Sequence, residues 1–222
     1  MTTQDALAPA VATERGSWLA RWAPLGGLAF VAGFVALIAS IGEPGDTPAE
    51  VIAYAETHSG RLDAMTLFAL LSLLLLGWFV GGLHVRLLAV GARLEATFAL
   101  AAGAAFALLF FVTLMIWQAP LLELDDEGSA SLQTSQAETF LGIEDIGWFT
   151  LGGAGVAAGM MIMATSIGAR RGGLVPAWAG WVGVALGIIA LATIAFFGLI
   201  AWLLWITLAS LLMLWRGASK PD

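Results

Sequence analysis

The stretch LVPAWAGWVGVALGIIALATIAFFGLIAWLLWITLASLLMLW, from Leu174 to Trp215, holds 42 residues without a single charge. As one helix it would be about 63 Å long at ~1.5 Å per residue, twice the ~30 Å hydrocarbon thickness of a bilayer. It must therefore fold back on itself. The expected turn is Ala195-Phe196-Phe197-Gly198, because Gly198 is the only glycine near the middle. That turn leaves spans of ~17 to 20 residues on either side, near 175–194 and 199–215.

Working outward, four more uncharged apolar runs precede this block: Trp22 to Gly42, Ala64 to Val85, Ala96 to Gln118 and Ile146 to Gly168. Each is long enough to span a membrane. The whole chain agrees with them, being 60% hydrophobic and only 11% charged over 222 residues with a mean hydropathy of +0.92, where a soluble domain is roughly 25% charged. The expected architecture is an all-α polytopic membrane protein, a six-helix bundle over residues 22–215 with tails at 1–21 and 216–222.

Charge placement tests the count independently, because Lys and Arg concentrate in cytoplasmic loops and tails. Six spans put Arg15, Arg21, Arg86, Arg93, Arg170, Arg171, Arg216 and Lys220 on one face, eight of the nine basic residues. The other face keeps only Arg61 against Glu43, Asp46, Glu50, Glu56, Asp63, Glu123, Asp125, Asp126, Glu127, Glu138, Glu144 and Asp145. Both termini are thus expected in the cytoplasm, with an acidic outer face. A five-span arrangement would move Arg216 and Lys220 outside and spoil the segregation. Trp18, Trp22, Trp178 and Trp215 then mark the inner interface and Trp117, Trp148 and Trp202 the outer one, as anchors at headgroup level.

Thr47, Pro48 and Glu50 occupy the cap, first and third positions of a helix start, predicting a short outer-face helix from Pro48 to His58 that Ser59-Gly60 closes. Val51, Ile52, Tyr54 and Ala55 give it an apolar stripe, so it lies across the mouth of the bundle as a surface helix or a lid. The second outer loop, Ala119 to Asp145, is acidic with turn signals at Pro120 and Gly128, followed by an apolar patch at Phe140, Leu141 and Ile143. Small residues at four-residue spacing (Ala99, Gly103 and Ala107; Gly155 and Gly159; Ala179, Gly183 and Gly187) allow close helix packing, within one bundle or between copies.

Chemistry is sparse. Without cysteine there is no disulfide, thiolate metal site or cysteine nucleophile, and a net charge of −7 argues against nucleic acid as a partner. No charge lies inside the six spans, which disfavours ion-coupled transport. The two histidines, His58 and His84, fall on opposite faces and cannot share a metal. Glu123 to Gly128 lacks the alternating spacing of a calcium loop, and no hydrolase, zincin, P-loop or dinucleotide motif is present. No cofactor is expected. The candidate ligand-binding residues are Gln118, able to face Glu144 and Asp145 in a polar cluster at the outer mouth, and His84 with Arg86 at the inner end of span two. Those two either snorkel to the interface or hold a small molecule or an anionic lipid headgroup. For Glu144 and Asp145 the alternatives are helix capping and cation binding.

The run Gly172-Gly173-Leu174-Val175-Pro176-Ala177-Trp178-Ala179-Gly180-Trp181, entering a span, resembles a segment of small uncharacterised multi-pass bacterial membrane proteins, and the outer helix before span two is similar as well. The resemblance covers the hydropathy outline and these two patches. It implies a bacterial inner-membrane protein and no activity. Three functional classes remain: a non-catalytic component that is an accessory or self-associating part of a membrane assembly, with lipids, a second copy or a membrane protein as partners; a small transporter or channel for a neutral or lipophilic solute; and an interfacial lipid enzyme, to which only Glu144, Asp145 and His84 could contribute. A polar cavity ending at Gln118 would favour the second, and a solid core with an exposed glycine groove the first.

Overall fold

The computed structural model describes residues 3–40, 42, 44–124, 130–193 and 197–218. Six helices follow one another: α1 (Thr3–Ser40), α2 (Pro48–Ala89), α3 (Arg93–Leu124), α4 (Ala130–Arg171), α5 (Ala177–Ala190) and α6 (Phe197–Ala218). Among the described residues there is no strand. Five segments are long and apolar enough to cross a membrane, Ala20–Ser40, Gly60–Ala89, Arg93–Leu122, Gln133–Arg171 and Phe197–Trp215, as in a multi-pass membrane protein. α5 is equally apolar but has 14 residues, about 21 Å at ~1.5 Å per residue.

Side-chain pairings fix the direction of each helix. α1 and α2 are antiparallel, since Gly33 packs on Phe68, Gly26 on Leu75 and Ala23 on Gly82. Val80 and His84 of α2 meet Gly103 and Ala96 of α3, and α3 descends on α4 through Trp117 on Gly147, Gly103 against Met161 and Glu95 on Arg171. α5 returns along α4, with Gly180 on Arg170, Gly183 on Ser166, Gly187 on Gly159 and Thr193 on Gly155. α6 then lies antiparallel to α1: Ser210 touches Gly27 and Trp202 sits among Phe30 and Phe34. The hairpin of α5 and α6 therefore leaves and rejoins the same end of the bundle. That end carries Arg86, Arg93, Arg170 and Arg171; Asp46, Glu50, Glu56, Asp63, Glu138, Glu144 and Asp145 lie toward the other.

The expected small-residue stripes are among the glycines that let these helices approach, joined by Gly26, Gly27, Gly33 and Gly82, which the four-residue spacing does not single out. A methyl group added at Gly155 would run into Thr193, at Gly159 into the Gly187 carbonyl, and at Gly103 into Val80. Close backbone approach of this kind holds helices together where lipid removes the hydrophobic drive between them. At the core, Phe30, Phe34, Phe106, Phe110 and Trp202 form one aromatic cluster with centroids 5.2 to 6.5 Å apart.

Several expectations are corrected. α5 ends at Ala190, where Leu191 and Ala192 donate to Ile188 and Ile189 and tighten the last turn, and the Thr193 hydroxyl donates to Ala190. The fold-back thus starts before the expected Ala195-Phe196-Phe197-Gly198 turn, of which Ala195 and Phe196 lie outside the described residues. Gly198 instead belongs to α6, where it lets that helix press on the Thr193 backbone. The short helix at Pro48 ends where expected, at a kink where His58 leaves helical geometry (φ −123°, ψ 19°), but Ser59-Gly60 opens no loop: helix resumes at once toward Leu62 and Met65, which are buried in the core. The second outer loop is mostly helical, since α3 continues through Pro120 to Leu124 and α4 begins at Ala130, with Leu121, Ala137 and Phe140 buried. Asp125, Asp126, Glu127 and Gly128 of the acidic run lie outside the described residues. Trp202, assigned to an interface, is wholly buried, because its face of α6 meets the phenylalanines. Trp22, Trp148, Trp178 and Trp215 are exposed, as anchors should be.

Candidate functional site

The expected polar cluster at the acid-rich end does not assemble. Gln118 is fully buried, but its amide donates to the Leu62 carbonyl and the Thr66 hydroxyl of α2, away from α4. Trp117, one residue earlier, is the side chain that reaches Glu144, donating from Nε1 to its carbonyl at 3.3 Å. Successive helix residues point about 100° apart, so α3 cannot turn both toward α4. Glu144 is half-buried and Asp145 exposed.

A cavity of about 320 Å³ does lie at this end, between Phe34, Leu37, Tyr54, Phe110, Leu114 and Trp148, with Glu144 on its wall. The 48–57 arm of α2 contributes Tyr54 to its wall. Its apolar stripe packs as expected, Val51, Tyr54 and Ala55 being buried and Ile52 half-buried. The arm is locally well made: the Thr47 hydroxyl accepts from the Glu50 amide, while the Glu50 carboxylate accepts from the amides of Asp46 and Thr47 and from the Thr47 hydroxyl. These donors, the hydroxyl foremost, hold the Glu50 carboxyl below the ordinary range. Burial pushes the Tyr54 phenol up, opposed by the charge of Arg61. Arg61 itself donates to the Ser40 carbonyl at 2.9 Å, capping the end of α1, a role with no signal in the sequence beyond a lone base among acids.

His84 and Arg86, expected together, point to different neighbours. His84 Nδ1 lies 3.0 Å from the Ala96 carbonyl of α3. Arg86 donates from Nη2 to the Ala20 carbonyl of α1 at 2.9 Å, and its Nε is buried without a partner. Among the described residues the one ion pair is Arg171 with Glu95, at 2.7 Å, so Arg86 has no counter-charge there. It borders a second cavity of about 420 Å³, lined by α2, α4, α5, α6 and the turn before α5. Gly173 (φ 69°) forms that turn, with Leu174 donating back to Ala169, a left-handed helix ending that favours glycine. Arg170 is drawn away from this cavity and stacks over Trp181 at 4.5 Å.

One surface feature was not singled out in the sequence, although its spacing is readable. Gly77 and Gly81 face outward on α2 beside exposed Leu70 and Leu74, and nothing in the fold lies within 4 Å of where their side chains would begin. By contrast Gly26, Gly33, Gly82, Gly103, Gly155, Gly159, Gly183 and Gly187 each meet a neighbouring helix.

These features are those of an all-helical protein with five helices able to cross a membrane, consistent with a multi-pass membrane protein, and with a cavity toward each end of the aromatic cluster. No protein-family model matches the chain, and neither a curated protein nor a solved structure is significantly similar to it.

Proposed function

We propose that the chain is a non-catalytic integral membrane protein that self-associates through the outward face of α2. The observation that carries this reading is the unpartnered pair Gly77 and Gly81. Glycine in a helix interior is less favourable than alanine by roughly 0.5–1 kcal/mol, and the monomer gains nothing from its small size at these two positions. A second helix approaching to backbone contact would, in the manner of four-residue small-residue motifs. An accessory role beside another membrane protein would use the same surface.

The bundle crosses the membrane six times, α5 included, with both termini in the cytoplasm of a bacterial cell and the protein in the inner membrane. Support comes from the antiparallel packing of α6 on α1, the arginines at one end and acids at the other, and the resemblance at Gly172 to Trp181. Replacing both glycines tests the reading: Gly77→Leu with Gly81→Leu should convert a dimeric or larger species to monomer in mild detergent, measured as protein mass by light scattering. A wild-type monomer, or an unchanged mass in the double variant, contradicts it.

Passage of a neutral or lipophilic solute is the second reading, favoured by the two largely apolar cavities. The aromatic cluster stands between them, so transport would require those rings to part.

A further inference from the structure

The cavity at the arginine-rich end is chemically incomplete. Its walls are mostly aliphatic, from Leu83, Leu208, Leu212 and Met213, with Trp205 beside them. Two of its lining residues keep an unsatisfied atom: half-buried Arg86, whose Nη2 reaches the Ala20 carbonyl while its Nε is buried without a partner, and Thr165, which is 4% exposed and whose hydroxyl has no hydrogen-bond partner. Ser166 next to it is already used, accepting from Trp205 Nε1 at 3.1 Å. Buried hydroxyls in transmembrane helices ordinarily satisfy themselves on the preceding turn, as Thr113 and Thr207 do here. Thr165 does not. A half-buried charge with no counter-ion among the described residues is costly and so is a buried unpaired donor; one anion placed between them would relieve both.

We propose that this cavity binds the anionic head of an acyl-chain amphiphile, with Arg86 as its counter-charge, Thr165 as a hydrogen-bond donor and the chain lying along Leu208, Leu212 and Met213. The volume, about 420 Å³, is within the roughly 300–1,000 Å³ of small-ligand pockets, which suits a headgroup with part of one chain better than a whole two-chain lipid. The position also suits the ligand, since basic pockets between helices on the cytoplasmic side are where acidic headgroups bind. Head chemistry is shared by an acidic phospholipid and a free fatty acid, and the site is independent of any pairing through α2.

Native mass spectrometry of the full chain, released from nanodiscs, tests this. One set of discs holds phosphatidylglycerol in phosphatidylcholine, a second holds oleate in phosphatidylcholine, and a third holds phosphatidylcholine alone. One acidic amphiphile should be retained per chain in at least tenfold preference over phosphatidylcholine, and the arm that retains it identifies the source. Arg86→Gln should lower retention about tenfold and Thr165→Val severalfold, while Arg93→Gln, removing an exposed charge at the same end, should leave it unchanged. Ala209→Leu fills the cavity without touching a charge and should expel the ligand even if Arg86→Gln fails to fold. Equal retention of acidic and zwitterionic lipid, equal effects of the Arg86 and Arg93 substitutions, or full retention in Ala209→Leu would overturn the proposal.

Discussion

Trp202 shows how an environment decides the role of a residue. A tryptophan near the start of a span reads as an interface anchor, because the sequence holds nothing about which rings surround it. In the fold it is buried among Phe30, Phe34, Phe106 and Phe110, with its indole N–H unpaired. Truncating a large buried aromatic costs ~3–5 kcal/mol, so Trp202→Ala should sharply lower the thermal unfolding temperature in detergent. Trp202→Phe should cost much less, since it removes an unsatisfied donor along with part of the ring; equal losses would mean the N–H has a partner. Gln118 illustrates the opposite case: its importance as a polar residue inside a span was legible, but its partner was not. Choosing between Glu144 on α4 and Leu62 with Thr66 on α2 requires the rotation of α3, which the flanking apolar residues leave open.

Among the elements, the arm of α2 was the most legible, because a capping box is a local arrangement of Thr47, Pro48 and Glu50. Its continuation past Gly60 was not, since that depends on Leu62 and Met65 finding the core. The depressed Glu50 carboxyl gives the arm a pH dependence. Its stabilising hydrogen bonds are fully present above the ordinary glutamate range and are lost as pH falls through the lowered value. Amide protection factors over residues 48–57, corrected for the intrinsic exchange rate at each pH, should therefore fall at acid pH in the wild type, whereas Glu50→Gln should be less protected at neutral pH and largely insensitive to acid. For α5, the glycine spacing was readable and so was its consequence: Gly155→Leu should push α4 and α5 apart at Thr193 and destabilise the hairpin, by several kcal/mol if Thr193 cannot move, as overpacking does. Limited proteolysis between α5 and α6 would report it. The exact turn between these helices escaped the sequence because Gly198 serves close packing on Thr193 and not a reversal. The Gly77 and Gly81 spacing was equally present in the sequence, yet only the fold distinguishes a glycine that meets another helix from one that faces outward.

At the scale of the whole molecule, charge carries the most information. Scarcity of charge marks the chain as one fit to cross a bilayer, and the positions of the charges divide it into an arginine-rich and an acid-rich end. What the sequence could not reveal is the shortness of α5. Counted by length alone, five membrane-crossing helices would leave the two ends of the chain on opposite sides. α6 instead packs antiparallel to α1, with Ser210 on Gly27, and the proposed six-pass arrangement puts both ends on one side. Since the chain has no cysteine, single cysteines can be introduced and labelled from outside intact cells with a membrane-impermeant maleimide. Cysteines at Asp46 and Gly142, both exposed, should label, while one at Gly217 should label only after permeabilisation. Labelling of Gly217→Cys in intact cells, together with Asp46→Cys, would contradict the six-pass arrangement.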